Sequence, residues 1–483
     1  MNGTTVGPSG SVGTQSTVGA PASTTLRGWA VDPAVGREGA AELEISDGIL
    51  VRLTWLEGES AAGIAPGGTL IAPGFVDLHA HFREPGNEDA ETVATGLAAA
   101  AHGGFTTVCL MPNTTPAIDE PSVVARVLAA ASASGSPVRV LVHGAVTAGR
   151  KGETLAALGE LADAGVVGFS DDGSPVRSAP ILRNALAYAG ELGLPIVDHP
   201  EDPALTEGAE AAEGYVATVL GLRGWPVAGE AGAVARAIAI LADVVPDVPG
   251  ARLHLTHLST AASLDHVRAG KAAGLPVTCD VTPHHLGFTD EWIAGVRRWA
   301  WEALDAEGRA RDPWADGSRV ARPFDTSLRV NPPLRSAEDA AACLAALADG
   351  TADAIATDHA PHTEVDKHVE FGWAINGISG IETAIGIVLA AVDGGGVPLA
   401  RAIEALTTGP ARVLGVPGER HGVRPGLREG EPADLVVIDR AASWTVSADA
   451  LRSRGKNTPL LGRELRGVVR LVIAGGRVAH HED

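Results

Sequence analysis

The feature that most constrains the fold is an alternation of short apolar segments with alanine-rich segments, which begins near residue 73. The apolar segments are rich in β-forming residues and lie at 74–82, 105–113, 138–146, 166–173, 194–202, 252–260, 275–285 and 352–362. Helix-like stretches such as PSVVARVLAAASASG separate them, and their final glycines are typical helix stops. Strands alternating with helices predict an α/β fold with parallel pairing, and the count of eight favours a (β/α)₈ TIM-type barrel. A doubly wound open sheet is the alternative.

The regions that flank this alternation have different patterns. Residues 1–25 are rich in Gly, Ser, Thr and Pro without the layout of a signal peptide, so we expect a disordered leader. Residues 26–72 and 419–483 have the pattern of short strands and turns. We therefore expect a small β-sandwich domain formed by the N- and C-terminal segments beside a barrel over 73–418. The stretch 286–326 interrupts the alternation with tryptophans and charges, and we expect a surface excursion of helix and loop.

Charge and cysteine content restrict the class of partner. A formal net charge of −22 argues against nucleic acid and anionic membrane surfaces, because both need basic patches. Three cysteines provide no disulfide framework, which fits a reducing compartment. No apolar run approaches the length of about 20 residues that spans a membrane. We expect a cytoplasmic protein that acts on a small molecule.

The segment GFVDLHAHFREPG at 74–86 points to a metal. His79 and His81 are two residues apart on a predicted strand, so both imidazoles point the same way. Two converging neutral imidazoles suit a transition metal. The alternative is a half-buried strand that happens to carry two histidines. Asp77 and Arg83 favour the metal, because a plain core strand would not tolerate them.

More histidines and aspartates occupy the carboxyl ends of later predicted strands: Asp171, Asp172, His199, His257, Asp358, His359 and His362. The carboxyl ends of all barrel strands open on one face, where the active site is built. Four histidines and two carboxylates exceed the three protein ligands of a mononuclear catalytic zinc and suit two metals that share a carboxylate. One metal would take His79, His81 and Asp358. The other would take His199 and His257, with a bridging carboxylate from the fourth strand.

Each of these residues has a structural alternative. His199 could be a hydrogen-bonded core residue. His257 competes with His254, and their odd separation places them on opposite strand faces, so only one can face the site. The histidines of TPHH at 284–285 are expected to be structural. Asp358 follows small apolar residues and could both bind metal and move a proton.

Several short motifs along the chain form a set that carries family information. They are GFVDLHAHFREPG, MPNT, FSDDG, DHPED, LTHLST, VNPPLR and DHAPH. Together they resemble dihydroorotase of the bacterial class I type, within the amidohydrolase superfamily, from about residue 27 onward. The resemblance implies a cyclic amidohydrolase that interconverts N-carbamoyl-L-aspartate and L-dihydroorotate in pyrimidine synthesis. It also implies a metal-dependent barrel with a small β-domain made from both termini.

The same resemblance implies roles for individual residues. It implies two zinc ions per subunit, held by His79, His81, Asp172, His199, His257 and Asp358. The fourth strand ends in SDDG and has no lysine for the carbamylated bridge of many relatives, so an aspartate is expected to bridge the metals together with a hydroxide. Spacing favours Asp172, with Asp171 as the alternative. Asp358 is also the expected catalytic proton carrier.

The substrate implied by this resemblance is a dianion, so a local cation is needed. Arg83 can hold its non-reacting carboxylate in a bidentate pair. Further hydrogen bonds are expected from Asn113, Asn331 and His362. The segment 370–382 lacks a Pro-Phe-Gly motif that many relatives carry there, and Gly377 is expected to take over its contact with substrate.

Two other functions remain open from the sequence. A hydantoinase or allantoinase cleaves similar cyclic amides, but Arg83 and Asn113 favour a ring that bears a carboxylate. An inactive homologue that scaffolds aspartate transcarbamoylase usually lacks metal ligands, whereas all six candidates are present here. An active enzyme could still bind that partner. A homodimer is expected, and the 286–326 excursion is a hypothetical subunit interface.

Overall fold

The computed structural model describes residues 23–315, 317–415 and 421–482. Within them the strands are β1 (Ser23–Asp32), β2 (Arg37–Ser46), β3 (Ile49–Trp55), β4 (Thr69–Pro73), β5 (Phe75–Ala80), β6 (Phe105–Leu110), β7 (Arg139–Val142), β8 (Ile196–Asp198), β9 (Ala211–Ala212), β10 (Gly224–Trp225), β11 (Leu253–Leu255), β12 (Val277–Val281), β13 (Ala354–Ile355), β14 (Leu435–Thr445), β15 (Glu464–Ala474) and β16 (Arg477–His481).

The helices alternate with the central strands. They are α1 (Val93–His102), α2 (Pro121–Ala133), α3 (Leu158–Asp163), α4 (Ala179–Glu191), α5 (Pro203–Thr206), α6 (Tyr215–Leu220), α7 (Val227–Val244), α8 (Ala261–Ala272), α9 (Pro283–Gly287), α10 (Ala337–Asp349), α11 (Glu364–Lys367), α12 (Ala384–Asp393), α13 (Leu399–Leu406) and α14 (Thr408–Leu414). Short 3₁₀ helices lie at Gly58–Ala61, Ala148–Arg150, Asp290–Trp292, Ala300–Glu302, Thr326–Leu328 and Phe371–Trp373.

The alternating region forms parallel sheets covered by helices. Strands β5, β6 and β7 form one sheet, and β8, β11, β12 and β13 form another, with every pairing parallel. All residues of β5 and β6 are buried, as expected for parallel strands that are covered on both faces. The predicted α/β class with parallel pairing is therefore confirmed.

Backbone bridges connect these two parallel sheets. Phe169, in the predicted fourth strand, bridges in parallel to Gly144 on one side and to Ile196 on the other. Ala80 at the end of β5 bridges to His359, just beyond β13. The predicted strand at 166–173 is thus reduced to a single bridge residue. The other central strands are shorter than predicted, because their carboxyl ends leave the sheets for loops that carry polar side chains.

Helix α10 illustrates how local sequence sets the helix boundaries. The hydroxyl of Ser336 accepts a hydrogen bond from the backbone N–H of Asp339, which caps the first turn. Gly350 ends the helix at φ 84°, a left-handed conformation that glycine adopts without a Cβ clash. The buried face, which includes Leu344 and Leu347, packs into the large core between the helices and the parallel strands. In the described residues, no helix combines the length and the apolarity that a membrane crossing requires.

A seven-stranded sheet joins the two ends of the described chain. Its order is β16-β15-β14-β4-β1-β2-β3. Strand β4 is the link, because it pairs in parallel with β1 and antiparallel with β14. The prediction that both terminal segments build one β-structure agrees with this order. The predicted sandwich differs, since the strands share one continuous hydrogen-bonded sheet whose β14–β15 pairing contains register shifts.

The predicted boundary of the leader needs a correction. Ser23, Thr24 and Thr25 belong to β1 and pair with Ser46, Ile45 and Glu44 of β2, respectively. The rest of the expected leader lies outside the described residues.

The 286–326 excursion is less superficial than predicted. Phe288 and Trp292 are buried in an apolar cluster with Ile387 of α12, and Phe288 stacks on the ring of Trp299. The guanidinium of Arg463 lies 4.0 Å from the ring centroid of Trp299. Aromatic burial of this kind stabilises the excursion against the body of the protein. Its later part, which includes Val320, is exposed.

Candidate active site

The first group of predicted metal ligands meets at the carboxyl end of β5. His79 Nε2 and His81 Nε2 lie 3.1 Å apart, and His81 Nε2 lies 3.1 Å from Asp358 Oδ1. His79 Nε2 is 3.4 Å from the same carboxylate oxygen. All three side chains are buried. The three ligand atoms thus lie close together. The alternation of side chains along the predicted strand concerned only His79 and His81.

The second group lies beside the first, and Asp172 stands between them. His199 Nδ1 and His257 Nε2 are 2.8 Å apart. Asp172 Oδ1 lies 3.3 Å from His199, 3.5 Å from His257 and 3.4 Å from His79, and its Oδ2 lies 3.5 Å from His81. One carboxylate therefore faces all four histidines.

The neighbouring Asp171 faces elsewhere. Its carboxylate accepts hydrogen bonds from the backbone N–H groups of Val146 and Thr147, at 2.9 and 3.1 Å, and from the hydroxyl of Thr147. Burial raises the pKa of Asp171 to about 6, although the bonds to Thr147 oppose this rise. Asp171 thus braces a loop, and Asp172 is the carboxylate that reaches the histidine cluster.

Hydrogen bonds fix which histidine nitrogens are free to bind a cation. His81 Nδ1 donates to Asn113 Oδ1 at 2.8 Å, so its Nε2 keeps a lone pair. His199 Nε2 donates to Glu201 Oε2 at 3.0 Å, which leaves its Nδ1 lone pair facing Asp172. Lone pairs this close repel unless a cation or a proton lies between them. The donor set of imidazoles and carboxylates fits divalent transition metals.

The electrostatics of the cluster favour positive charge. Burial disfavours a charged His79, but the carboxylates of Asp172 and Asp358 outweigh it and raise the pKa of His79 to about 9. Burial likewise opposes ionisation of Asp358, yet His79 and His81 lower its pKa below the usual range. The same fields that hold a proton on His79 attract a metal cation to the cluster.

Strand β12 supports the cluster through Asp280. Its Oδ2 accepts from Thr256 Oγ1 at 3.1 Å and lies 2.8 Å from His254 Nε2, while its Oδ1 accepts the backbone N–H of His257 at 2.6 Å. Since Thr256 gives its only hydroxyl hydrogen to Asp280, it accepts from His79 Nδ1 at 2.8 Å. Asp280 therefore orients one histidine from each ligand group. His254 faces this network, which agrees with the prediction that only one of His254 and His257 reaches the site.

Arg83 lies directly behind the first ligand pair. Its Nε donates to Pro361 O at 3.2 Å, and its Nη2 lies 3.1 Å from His362 Nε2. Burial lowers the pKa of Arg83 to about 10, so the side chain stays charged at neutral pH. Gly377 closes this corner at φ 145°, where a Cβ would lie 2.9 Å from His362 Nε2. Arg83, His362 and Gly377 thus form one group.

The two predicted asparagines have different surroundings. Asn113 contacts His81, as described above. Asn331 Nδ2 donates to Glu201 Oε2 at 2.9 Å, and its Oδ1 is buried without a hydrogen-bond partner in the structure. Glu201 and Asn331 line two neighbouring clefts of about 460 and 470 Å³. Arg150 and Arg177 add positive charge to the first of these clefts.

Sequence reasoning missed three supporting residues: Glu201, Thr256 and Asp280. Glu201 stands two residues after His199 in DHPED, so its position was a usable signal. Asp280 is a carboxylate within the apolar segment LPVTCDV, which signals a buried partner. Thr256 offered no such signal. The histidines at 284–285 do not enter the ligand cluster, and His285 bonds to Thr282 and Pro332 instead.

Solved structures share this fold. L-hydantoinase (dihydropyrimidinase) from Arthrobacter aurescens matches with a TM-score of 0.74 and 23% identity, covering 94% of both chains. A D-hydantoinase matches with a TM-score of 0.69 and 22% identity over 94% of each chain. Identities this low concern the fold alone. The chain therefore shares the fold class of these hydantoinases, and its His/Asp cluster contains groups that could bind metal.

Closer relatives identify the family within this class. A family profile described as dihydro-orotase-like matches residues 68–263. The dihydroorotase of Anaeromyxobacter dehalogenans is 45% identical over 458 residues, which cover 94% of this chain and 97% of the relative. That of Pelotomaculum thermopropionicum is 42% identical over 454 residues, covering 93% and 96%. The chain belongs to the dihydroorotase family.

Proposed function

We propose that this protein catalyses the reversible cyclisation of N-carbamoyl-L-aspartate to L-dihydroorotate, a reaction of pyrimidine synthesis. The observation that carries the proposal is the convergence of six metal-ligand candidates beside a half-buried arginine, in a chain whose relatives are dihydroorotases. Arg83 supplies the positive charge that binding of a carboxylate-bearing substrate needs.

Two zinc ions are the proposed cofactor. His79, His81 and Asp358 would hold one, His199 and His257 would hold the other, and Asp172 would contact both. Bound zinc supplies Lewis-acid polarisation of the carbonyl that is attacked. The support for two ions is that Asp172 lies within 3.5 Å of histidines from both groups.

The remaining chemistry belongs to the side chains. In the synthetic direction, the ureido nitrogen attacks the carboxyl carbon, a C–N bond forms and one C–O bond of the carboxylate breaks. The departing oxygen leaves as water, with the proton lost by the nitrogen and one proton from solvent. Asp358 accepts the proton of that nitrogen, for which its lowered pKa keeps it ionised. In the hydrolytic direction Asp358 returns the proton to the leaving nitrogen. Arg83 binds the carboxylate that does not react.

Asn113, Asn331, His362 and Gly377 are proposed to position the substrate. Asn331 is supported by its partnerless Oδ1, and His362 by its contact with Arg83. Asn113 is proposed to act in two ways. Its Oδ1 accepts a hydrogen bond from His81 Nδ1, and its amide nitrogen is left to contact the substrate. Its amide nitrogen lies near Gly173 at the edge of the cleft.

The finer architecture is also proposed. We regard the two parallel sheets as arcs of one (β/α)₈ barrel over 73–418, closed through Phe169 and through the pairing of Ala80 with His359. The bridges at both junctions support this arrangement. The segments 26–72 and 419–483 would then form the second domain.

Assembly and location complete the proposal. We propose a cytoplasmic homodimer that is able to associate with aspartate transcarbamoylase. The absence of disulfides among the three buried cysteines is compatible with a reducing compartment. Light scattering of the purified protein, alone and mixed with that transcarbamoylase, tests both associations.

A steady-state assay tests the function. Purified zinc-loaded protein should turn over dihydroorotate with a kcat/KM at least ten-fold above those for hydantoin and allantoin. Preference for either of the latter would indicate a different cyclic amidohydrolase. Zinc below one equivalent with no turnover of any of the three substrates would favour an inactive scaffold.

A further inference from the structure

A second set of potential ligand atoms lies outside the candidate active site, near the end of the described chain. His102, His480 and Glu482 each offer one ligand atom, and these atoms lie within 4.8 Å of one another. They share no residue with the candidate active site. We infer that these three side chains form a separate site for a divalent transition metal of the Zn²⁺ class.

The surroundings of His102 prepare it to bind a metal. It is the last residue of α1, and its Nδ1 donates to Glu382 Oε1 at 2.7 Å. The carboxylate of Glu382 is held in turn by the backbone N–H groups of Arg452 and Ser453, at 2.7 and 2.9 Å. A carboxylate fixed behind an imidazole is the usual arrangement behind a metal-binding histidine. His102 therefore presents the lone pair of its Nε2.

His480 is the second imidazole of the site. It lies on β16, and its Nε2 donates to Val469 O at 3.1 Å, which leaves a lone pair on Nδ1. Its ring centroid is 5.1 Å from that of His102. Two neutral imidazoles side by side match a transition metal better than calcium or magnesium.

Glu482 supplies a carboxylate that can adjust. Its side chain is 48% exposed, and Oε2 lies 3.9 Å from His480 Nε2. Because that nitrogen donates to Val469 O, the carboxylate has to turn toward His480 Nδ1 to share a metal with it. The three ligand atoms now lie within 4.8 Å of one another, and zinc bonds of about 2.0–2.1 Å require them to come closer. The exposed side chain of Glu482 can move to bring its carboxylate nearer. Two histidines and one glutamate are also sufficient protein ligands for zinc.

A small cleft gives access to this site. It has a volume of about 200 Å³ and is lined by residues that include His102, Glu382, Arg452 and Glu482. The positive charges of Arg452 and of Arg470, whose Nη1 lies 3.8 Å from Glu482 Oε1, oppose a cation, but the carboxylates of Glu382 and Glu482 offset them. The cleft leaves room for a water molecule or a small ligand at a fourth coordination position.

Metal counting on the full chain tests this inference. The wild-type protein and the variants His480→Gln and Glu482→Gln are stripped, reloaded with excess Zn²⁺, desalted and measured by plasma mass spectrometry. Wild type should retain one equivalent of zinc more than either variant. This difference does not depend on how many ions the active site holds. Dihydroorotate turnover should be unchanged, because neither side chain touches the active-site cluster.

His266→Gln is the matched control, because it removes an exposed imidazole on α8 and should leave the zinc count at the wild-type value. If His480→Gln fails to fold, Glu482→Gln decides the question. The side chain of Glu482 is half exposed, so its replacement should not disturb folding. Equal zinc counts in wild type and Glu482→Gln would overturn the inference. Cobalt substitution gives a second readout: wild type should show one more equivalent of Co²⁺-induced visible absorption than the variant.

Discussion

Several residues of the candidate active site adopt backbone conformations that side chains rarely take. Arg83, His257 and Asp358 have φ values of 59°, 42° and 45°. Each such residue costs about 1–2 kcal/mol relative to ordinary backbone. Hydrogen bonds compensate locally; for example, the N–H of His257 bonds to Asp280 at 2.6 Å. The strain lies where strands leave the sheets, and it turns these side chains toward the centre.

Arg83 provides the first prediction at this scale. Arg83→Lys keeps a positive charge but loses the planar fork that contacts both Pro361 O and His362 Nε2. We expect kcat/KM for dihydroorotate to fall about 10- to 150-fold, since a hydrogen bond to a charged group contributes about 1.5–3 kcal/mol. Arg183→Lys, at an exposed ion pair with Asp243, should retain wild-type kinetics. Unchanged kcat/KM in Arg83→Lys would argue against substrate binding by this residue.

Asp290 provides a prediction about pH. Burial, followed by the charges of Glu291 and Glu338, raises the pKa of Asp290 to about 8 from 3.8. The folded protein therefore holds a proton that the unfolded chain releases above about pH 4. Between pH 4 and 8 this makes stability fall as pH rises, by at most about 1.4 kcal/mol per pH unit.

Asp290→Asn removes this dependence. The variant should melt at a higher temperature than wild type, and the difference should grow from pH 5 to pH 8 in thermal denaturation. Asp449→Asn, at an exposed position, should show no such trend. A melting difference that is constant across this pH range would contradict the raised pKa.

At the scale of the elements, β12 supports the histidines of the candidate active site. Asp280 holds His257 directly and His79 through Thr256. Asp280→Asn places an N–H₂ group where an acceptor is needed, so both ligand groups should lose their alignment. We expect zinc affinity to fall about 10- to 100-fold, as for other residues that hold metal ligands.

Competition with a chromogenic chelator measures this change. Asp265→Asn on α8 is the control, because its carboxylate contacts only Arg268 at the surface. Wild-type affinity in Asp280→Asn would show that the ligands keep their positions without β12.

Local patterns explain which elements were predictable. His79 and His81 follow the period of a strand, and Asp358 follows a run of small apolar residues, so sequence alone placed them together. Helix α10 was predictable from its cap and its final glycine. The ends of the central strands were not, because the exit of each strand depends on partners such as Asp280 that are remote in sequence.

Contacts between residues that are distant in the chain could not be predicted from one sequence. His102 and His480 stand far apart in the chain, and no local period relates them. Which of Asp171 and Asp172 reaches the histidine cluster also depends on long-range contacts. The side chain of Asp171 meets Thr147, whereas that of Asp172 meets His199. The burial of Trp292 in the cluster with Ile387 likewise depends on where the excursion folds back.

At the scale of the whole molecule, Gly74 joins the seven-stranded sheet to the parallel sheets. It stands between β4 and β5, where a Cβ would lie 2.1 Å from Thr106 Oγ1 and 2.3 Å from Asp434 Oδ1. Gly74→Ala should destabilise the protein by about 1–3 kcal/mol through overpacking. Its melting temperature should drop measurably in calorimetry.

Gly67→Ala is the matched control, because a Cβ there meets no atom within 4 Å. Equal melting temperatures for the two variants would mean that the junction adapts to the extra methyl group.

The position of β4 in the middle of the seven-stranded sheet has a consequence for biosynthesis. Residues 69–73 pair with 435–439, so one side of β4 has no partner until the ribosome has delivered the latter segment. At about 5–20 residues per second, this interval is roughly 20 to 70 s. An open strand edge invites pairing with other nascent chains. The open edge of β4 therefore needs shielding, by chaperones or by delayed folding, until residues 435–439 have been synthesised.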